Sequence, residues 1–270
     1  FAEDLHNGIG IWDTYERYNL EFFGVRLPFH ASVQDTGGLS LNRVQHLLWI
    51  VYPELIPGLI LSPIHQDLEH AAAAVHAFLD VALRALPKGS GIKAFLQTPN
   101  QFGWDIKRKL IWLGTSSYML RLPCKRYLVE QNRGRWSISH VDDFLCQECT
   151  RWSGLGAVDV LAGVLDRSDE DRQDIRGWHE RHASFYRLQA VSGECLDALN
   201  IISDQPYRIR IDMPDHPFKV GQIMFGSLVT WRGDWYWSVE QEAWPESAIQ
   251  DVSALREAMK RKDSHILCRF

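Results

Sequence analysis

Apolar residues recur at helical spacing through most of the first two thirds of the chain. Ile11, Trp12, Tyr15, Tyr18 and Phe22 predict a helix over residues 11–22, with Gly24 placed to stop it. The segment 25–39, with Pro28, Gly37 and Gly38, reads as a loop, and Ser40 is positioned to cap a second helix expected to end at Tyr52. Next, Ser62-Pro63 supplies a cap and a first-turn proline. Leu68, Ala71, Ala72, Val75, Phe78, Leu79, Ala82, Leu83 and Leu86 then form one apolar stripe. The consecutive alanines Ala71 to Ala74 predict close approach of a neighbouring helix. Further helices are expected over 105–119, over 139–151 behind a Ser139/Asp142 capping box, and after Ser168/Asp171, a second such box. In the last, Ile175, Trp178, His182 and Phe185 share a face. Ala157 to Leu165 is apolar nearly all round and must be buried.

The period then changes from helical to alternating. Tyr207, Ile209 and Ile211 alternate with Arg208, Arg210 and Asp212, a half-buried strand. Strands are also predicted over 187–191, 196–201, 222–231 and 235–239, the last two joined at Gly233-Asp234. Pro245 breaks the pattern before a helix over 247–260. The fold class is α+β: a mainly helical N-terminal region, then a small antiparallel β-barrel-like module, then a C-terminal helix. The expected division is a helical domain over 1–184 and a β module with terminal helix over 185–270, packed upon it.

Composition narrows the function. The chain has 270 residues, 46% hydrophobic and 23% charged, which excludes disorder and coiled coil. A net charge of −5 disfavours a whole-surface nucleic-acid binder. Five cysteines are thinly spread, against a secreted disulfide scaffold and for a reducing, cytoplasmic setting. The longest apolar stretch, 47–61, is interrupted by Pro53, Glu54 and Pro57, so no membrane span is expected. Opening on Phe1 rather than Met is expected of a piece of a longer protein.

No enzyme signature is present: neither a G-x-S-x-G elbow nor a phosphate-cradling G-x-x-x-x-G-K-[ST] loop. Cys146 and Cys149 form a C-x-x-C inside a predicted helix, where the redox reading lacks its strand–helix context. With His179 and His182 they could make a zinc set, but the H-x2-H spacing is short. His65, Glu69 and His70 read as helix-terminal polar groups. No cofactor and no metal are therefore predicted, and both cysteines are expected on a helix with at least one in the core. A metal-dependent hydrolase is the remotest of the alternatives.

Two constellations stand out. Residues 101–138 carry eight basic and two acidic residues. The cations are Lys107, Arg108, Lys109, Arg121, Lys125, Arg126, Arg133 and Arg135, with Trp112, Tyr118, Tyr127 and Trp136 among them. That interleaving suits a polyanion or nucleic acid; the competing reading pairs the block with the acidic segment 139–184. The second constellation is Trp231, Trp235, Tyr236 and Trp237, within which an aromatic ligand surface competes with a filled small core. At least two of the three tryptophans are expected to be buried against the helical region. The sequence thus predicts a non-catalytic binding protein with a Trp-rich small β module. A protein or peptide partner is favoured over nucleic acid, and no membrane is involved.

Overall fold

The computed structural model describes residues 1–26, 38–86, 92–98, 103–148, 156–165, 167–181, 183–211 and 217–244, with 252, 253, 256 and 257. Helices come first. A short π-helical turn, Glu3–Asn7, leads into α1 (Ile11–Phe23). Asp4 caps α1 by accepting from the amides of Ile11 and Trp12 at 2.6 and 3.0 Å. Gly24 ends it in the left-handed conformation, φ 71°, its N–H donating to the Leu20 carbonyl.

Helices α2 (Leu41–Leu55) and α3 (Gln66–Arg84) pack together as a hairpin. Ser40 accepts from the Arg43 amide and caps α2 as the sequence predicts. The helix does not stop at Tyr52. It runs through Pro53 to Leu55, because a proline in the last turn removes one amide while the Ile56 amide still reaches the Tyr52 carbonyl. Ser62-Pro63 lies in the turn before α3, whose cap is His65, its Nδ1 accepting from the Asp67 amide at 3.2 Å.

The body of the helical region is α4 (Ile92–Gln97), α5 (Gly103–Ser116), α6 (Arg121–Asn132), α7 (Ile138–Asp143), α8 (Ala157–Val164) and α9 (Asp169–Gly177). The cap of α7 is Ser137, not Ser139, and a π-helical turn, Phe144–Glu148, continues from it. Asp142 is therefore not a capping acid; it is fully buried. As predicted, α8 is largely buried, with Leu161 and Ala162 at 0% exposure, and Ser168 caps α9 by accepting from the Asp171 amide. But α9 ends at Gly177, followed by a single tight turn, and Phe185 sits on a strand rather than sharing a helical face with Ile175. His182 lies outside the described residues.

The strands are β1 (Ala183–Ser192), β2 (Cys195–Asn200), β3 (Pro206–Arg210), β4 (Ile223–Trp231), β5 (Asp234–Trp237) and β6 (Glu242–Trp244). They pair in the order β1-β2-β3-β5-β4, and β4 pairs back onto β1, closing a five-stranded barrel. All pairings are antiparallel except β3 with β5, where Ile209 faces Trp235 and Arg210 faces Tyr236. The β4–β5 turn is Arg232-Gly233, both at positive φ, 52° and 82°. β1 serves two neighbours by bending at a register shift between Leu188 and Ala190. Most of the expected C-terminal helix falls outside the described residues. Within it, Arg256 donates to the Ile201 carbonyl and pairs with Asp204 at 2.7 Å.

Alternation along β4 and β5 places the barrel on the helices. Tyr186, Leu188, Leu196, Ile209, Met224 and Leu228 fill the barrel interior, with Trp235 and Trp237 packed among them. The opposite side of β4 presents Val229 and Trp231, which join the helical core formed by Leu110, Leu113, Leu145, Leu161, Ile175 and Trp178. One apolar core therefore runs from α5 and α8 into the outer face of β4. Polar ties reinforce it: Trp178 donates to the Thr230 carbonyl at 2.8 Å, and Arg232 grips Asp171 bidentately at 2.8 Å.

Candidate functional site

The sequence-predicted aromatic group is not one surface. Trp231 is 2% exposed and packs against Trp178, ring centroids 6.3 Å apart. Tyr236 leans on the same helical core, whereas Trp235 and Trp237 point into the barrel, each edge-on to a tyrosine. Strand alternation forces this split. One tryptophan, not two, is buried against the helices, because the odd positions of β5 face inward while Trp231 on β4 faces out.

The basic block also divides. Lys107 and Lys109 are buried: Lys107 Nζ is 2.8 Å from Asp142, and Lys109 Nζ is 2.9 Å from Asp105 and donates to the Thr98 carbonyl. Arg108, Arg121, Lys125, Arg126, Arg133 and Arg135 are exposed. Arg121 lies over Tyr118 at 4.8 Å, and Trp136 is 63% exposed.

Lys107 belongs to the most highly charged spot in the interior. Asp142 accepts from Lys107 at 2.8 Å and from Ser238 of the barrel at 2.5 Å, and Arg181 lies 3.1 Å away. Cys146 Sγ is 3.6 Å from both Lys107 and Asp142. Burial alone would raise the Asp142 carboxyl, but Lys107 and Arg181 outweigh it and hold the group below the usual carboxylate range. Burial pushes the Cys146 thiol up. Burial would lower the Arg181 guanidinium, yet Asp142 raises it. The cluster is closed to solvent and joins α5, α7 and the barrel. A thiol held protonated beside a buried ion pair is a poor nucleophile, so this spot fits a structural role. Cys146 sits in the core on the π-helical turn, and Cys149 lies outside the described residues. Among the described residues, no group of three His, Cys, Asp or Glu could hold a metal. His65 caps α3, and His179 Nδ1 contacts the Arg176 carbonyl.

One concave site among the described residues was not singled out in the sequence. A cleft of about 630 Å³ opens between α1, the end of α8, and α9, lined by Thr14, Arg17, Tyr18, Glu21, Gly163, Asp169, Arg172, Gln173 and Arg176. Its floor exists because Gly163 lets α1 come close: a Cβ there would lie 2.3 Å from Thr14 Cγ2. The Gly163 carbonyl accepts from Arg17 at 2.8 Å. Arg172 and Arg176 are one turn apart on α9. Arg172 reaches Asp169 at 3.4 Å through one terminal nitrogen, while its buried Nε has no hydrogen-bond partner among the described residues. Arg176 makes no side-chain hydrogen bond or ion pair with the described residues. The lining holds three guanidiniums against two carboxylates. The only signal for it in the sequence is the Arg172/Arg176 spacing; nothing local says that α1 packs on α8.

Comparison with known families adds one match. The family model described as "Protein of unknown function (DUF3843)" covers residues 1–149, more than half of the chain. The chain belongs to the DUF3843 family. No curated protein and no solved structure matches it. The DUF3843 match runs from the N-terminal turn through the π-helical turn after α7, so Thr14, Arg17, Tyr18 and Glu21 lie inside it. The α9 wall of the cleft and the whole barrel lie beyond it. No helix among the described residues is long and apolar enough to cross a membrane.

Proposed function

We propose that the chain is a non-catalytic binding protein whose α1–α9 cleft takes a ligand bearing a carboxylate or phosphate group. The observation that carries this is the convergence of Arg17, Arg172 and Arg176 on one concave surface, where the buried Arg172 Nε has no hydrogen-bond partner among the described residues. Buried or half-buried guanidinium donors left unsatisfied cost stability. A carboxylate or phosphate that accepts two hydrogen bonds satisfies them. Tyr18 and Gln173 add neutral hydrogen-bonding groups to the same rim. Catalysis has less support, since the cleft holds no nucleophile paired with a base. The free thiols of Cys124, Cys146 and Cys195 support the cytoplasmic placement.

The barrel offers a weaker ligand surface. Small five-stranded barrels of the OB type bind oligonucleotides on the β2–β3 face. Here that face sets Asp197 opposite Arg208, and Arg210 is tied to Asp234 and Glu194 at 3.1 and 3.5 Å. Its positive charge is already neutralised within the fold. The exposed cations of α6, with Leu122 and Trp136 beside them, favour a second reading: a polyanion bound along that helix.

The test uses inorganic phosphate and citrate as probes, added at constant ionic strength against chloride while thermal unfolding is followed. Because such anions stabilise proteins generally, the readout is the difference between the natural chain and Arg172→Met/Arg176→Met. The expected result is a rise in Tm that the double variant loses. Equal shifts in both chains overturn the cleft reading. Salt-sensitive retention on heparin, abolished by Arg121→Glu/Arg126→Glu and untouched by the cleft variant, supports the second reading instead.

A further inference from the structure

Helix α3 carries two apolar seams, and α2 covers only one. Leu68, Ala72, Val75 and Leu79 form the covered side, with Leu68 and Ala72 fully buried. About a quarter-turn round the helix lies a second stripe: Ala71, Ala74, Phe78, Val81 and Ala85, spaced alternately three and four residues apart. That is the spacing of a coiled-coil a/d seam. All five are exposed, Phe78 by 70% and Val81 by 71%, and Ile64 extends the stripe at 73%. A solvated helix face normally carries polar residues at such positions.

We infer that this stripe is the contact through which a second copy of the chain docks, α3 against α3 in antiparallel orientation. Size and charge both choose this occupant. The small residues, Ala71 and Ala74, lie in the N-terminal half of the seam, and the large ones, Phe78 and Val81, in the C-terminal half. An antiparallel pair sets Phe78 of one copy over Ala74 of the other and Val81 over Ala71, knob against hole at both ends. A parallel pair would set Phe78 on Phe78 and leave the alanines facing a gap. The charges agree. Asp67 and Glu69 occupy the first turn and Arg84 the last, all exposed. The antiparallel arrangement brings the acidic turn of each copy to the other's Arg84, which among the described residues pairs with Asp80 alone, at the surface and at 2.6 Å. The contact is isologous, so it closes after two copies. Ile64, and Ile60 at 91% exposure in the α2–α3 connection, lie beyond the N-terminal end of α3, where they would extend the apolar contact past the C-terminal end of the partner's helix.

The test is sedimentation equilibrium of the full chain over a concentration series, followed by three variants. The natural chain is expected at twice its monomer mass. Phe78→Asp/Val81→Asp should be monomeric with unchanged helical circular dichroism. Arg84→Glu should weaken the dimer about tenfold, as expected from losing about 1.4 kcal/mol across the two symmetry-related contacts. Adding Asp67→Arg and Glu69→Arg should restore it, a rescue that an antiparallel seam allows and a parallel one does not. A natural chain that is monomeric throughout overturns the inference, as does a dimer that survives Phe78→Asp/Val81→Asp or a charge swap without rescue.

Discussion

Replacing Asp142 by Asn removes a charge and almost no volume, so the loss it causes measures the buried ion cluster directly. Asp142 is 0% exposed, Lys107 2% and Arg181 6%. With the carboxylate gone, two cations remain in the interior at 2.8 and 3.1 Å from a neutral amide. Arg181 keeps Asp143 at 2.6 Å, but among the described residues Lys107 keeps only the Cys146 sulfur and the Trp178 ring, 4.4 Å away. Breaking a buried pair by removing one partner costs about 3–5 kcal/mol, against a total stability of about 5–15 kcal/mol. At roughly 2–4 °C per kcal/mol for a chain near this size, the Tm should fall by about 6–20 °C. The assay is urea unfolding at pH 7, followed by far-ultraviolet circular dichroism and tryptophan fluorescence. pH supplies the second arm. The Asp142 carboxyl is held below its ordinary value, about 3.9 unfolded. Its contribution is therefore present above that value and lost as pH falls through the depressed folded one. The gap between the natural chain and Asp142→Asn should narrow on acidification below about pH 4. A gap under about 1 kcal/mol at pH 7, or one that stays constant into acid, would refute the reasoning.

Trp231→Ala should cost about 3–5 kcal/mol in urea unfolding, because the ring is 2% exposed at the joint between β4 and the helical core; Trp235→Ala, half-buried inside the barrel, should cost less. Gly163→Ala should destabilise by about 1–3 kcal/mol through overpacking on Thr14, and Thr14→Ala in the same chain should recover part of that loss, read as a non-additive double-mutant cycle.

Local chemistry accounts for what was legible in the sequence. Gly24, Ser40 and Ser168 act within one turn of their own positions, so their roles as helix stop and caps could be read directly. The strands follow likewise from alternation, down to Trp231 on one face of the sheet and Met224 and Leu228 on the other. Misplaced boundaries trace to competition between equivalent signals. Ser137 and Ser139 both precede a helical run, and what decides is that Asp142, three residues after Ser139, is needed in the core by Lys107, Arg181 and Ser238. The three partners all lie far from Asp142 in the chain, so no window around it could reveal its role. The same holds for Trp178–Phe185: helix and strand patterns overlap there, and pairing of Phe185 with Phe225 on β4 selects the strand.

Concavity is the least local property of all, and the α1–α9 cleft shows why. Arg17 and Arg176 are as ordinary in the sequence as any surface arginine; only the approach of α1 to α8 at Gly163 makes them neighbours. The basic block had the opposite fate: its density in sequence is real, but Lys107 and Lys109 turn inward to neutralise Asp142 and Asp105, and their charge is not available to a ligand. Clustering along the chain and clustering in space therefore select different cations. Of the two sets, the cleft arginines include a buried donor, Arg172 Nε, with no partner among the described residues, and such a donor on a concave surface is the stronger support for anion binding. The DUF3843 match stops before α9, which supplies two of those three arginines. The proposed cleft is thus completed by α9 from outside the matched region, and Arg17→Met in the full chain should lower the phosphate- and citrate-dependent rise in Tm as the α9 arginine variant does; an unchanged rise would show that α1 takes no part.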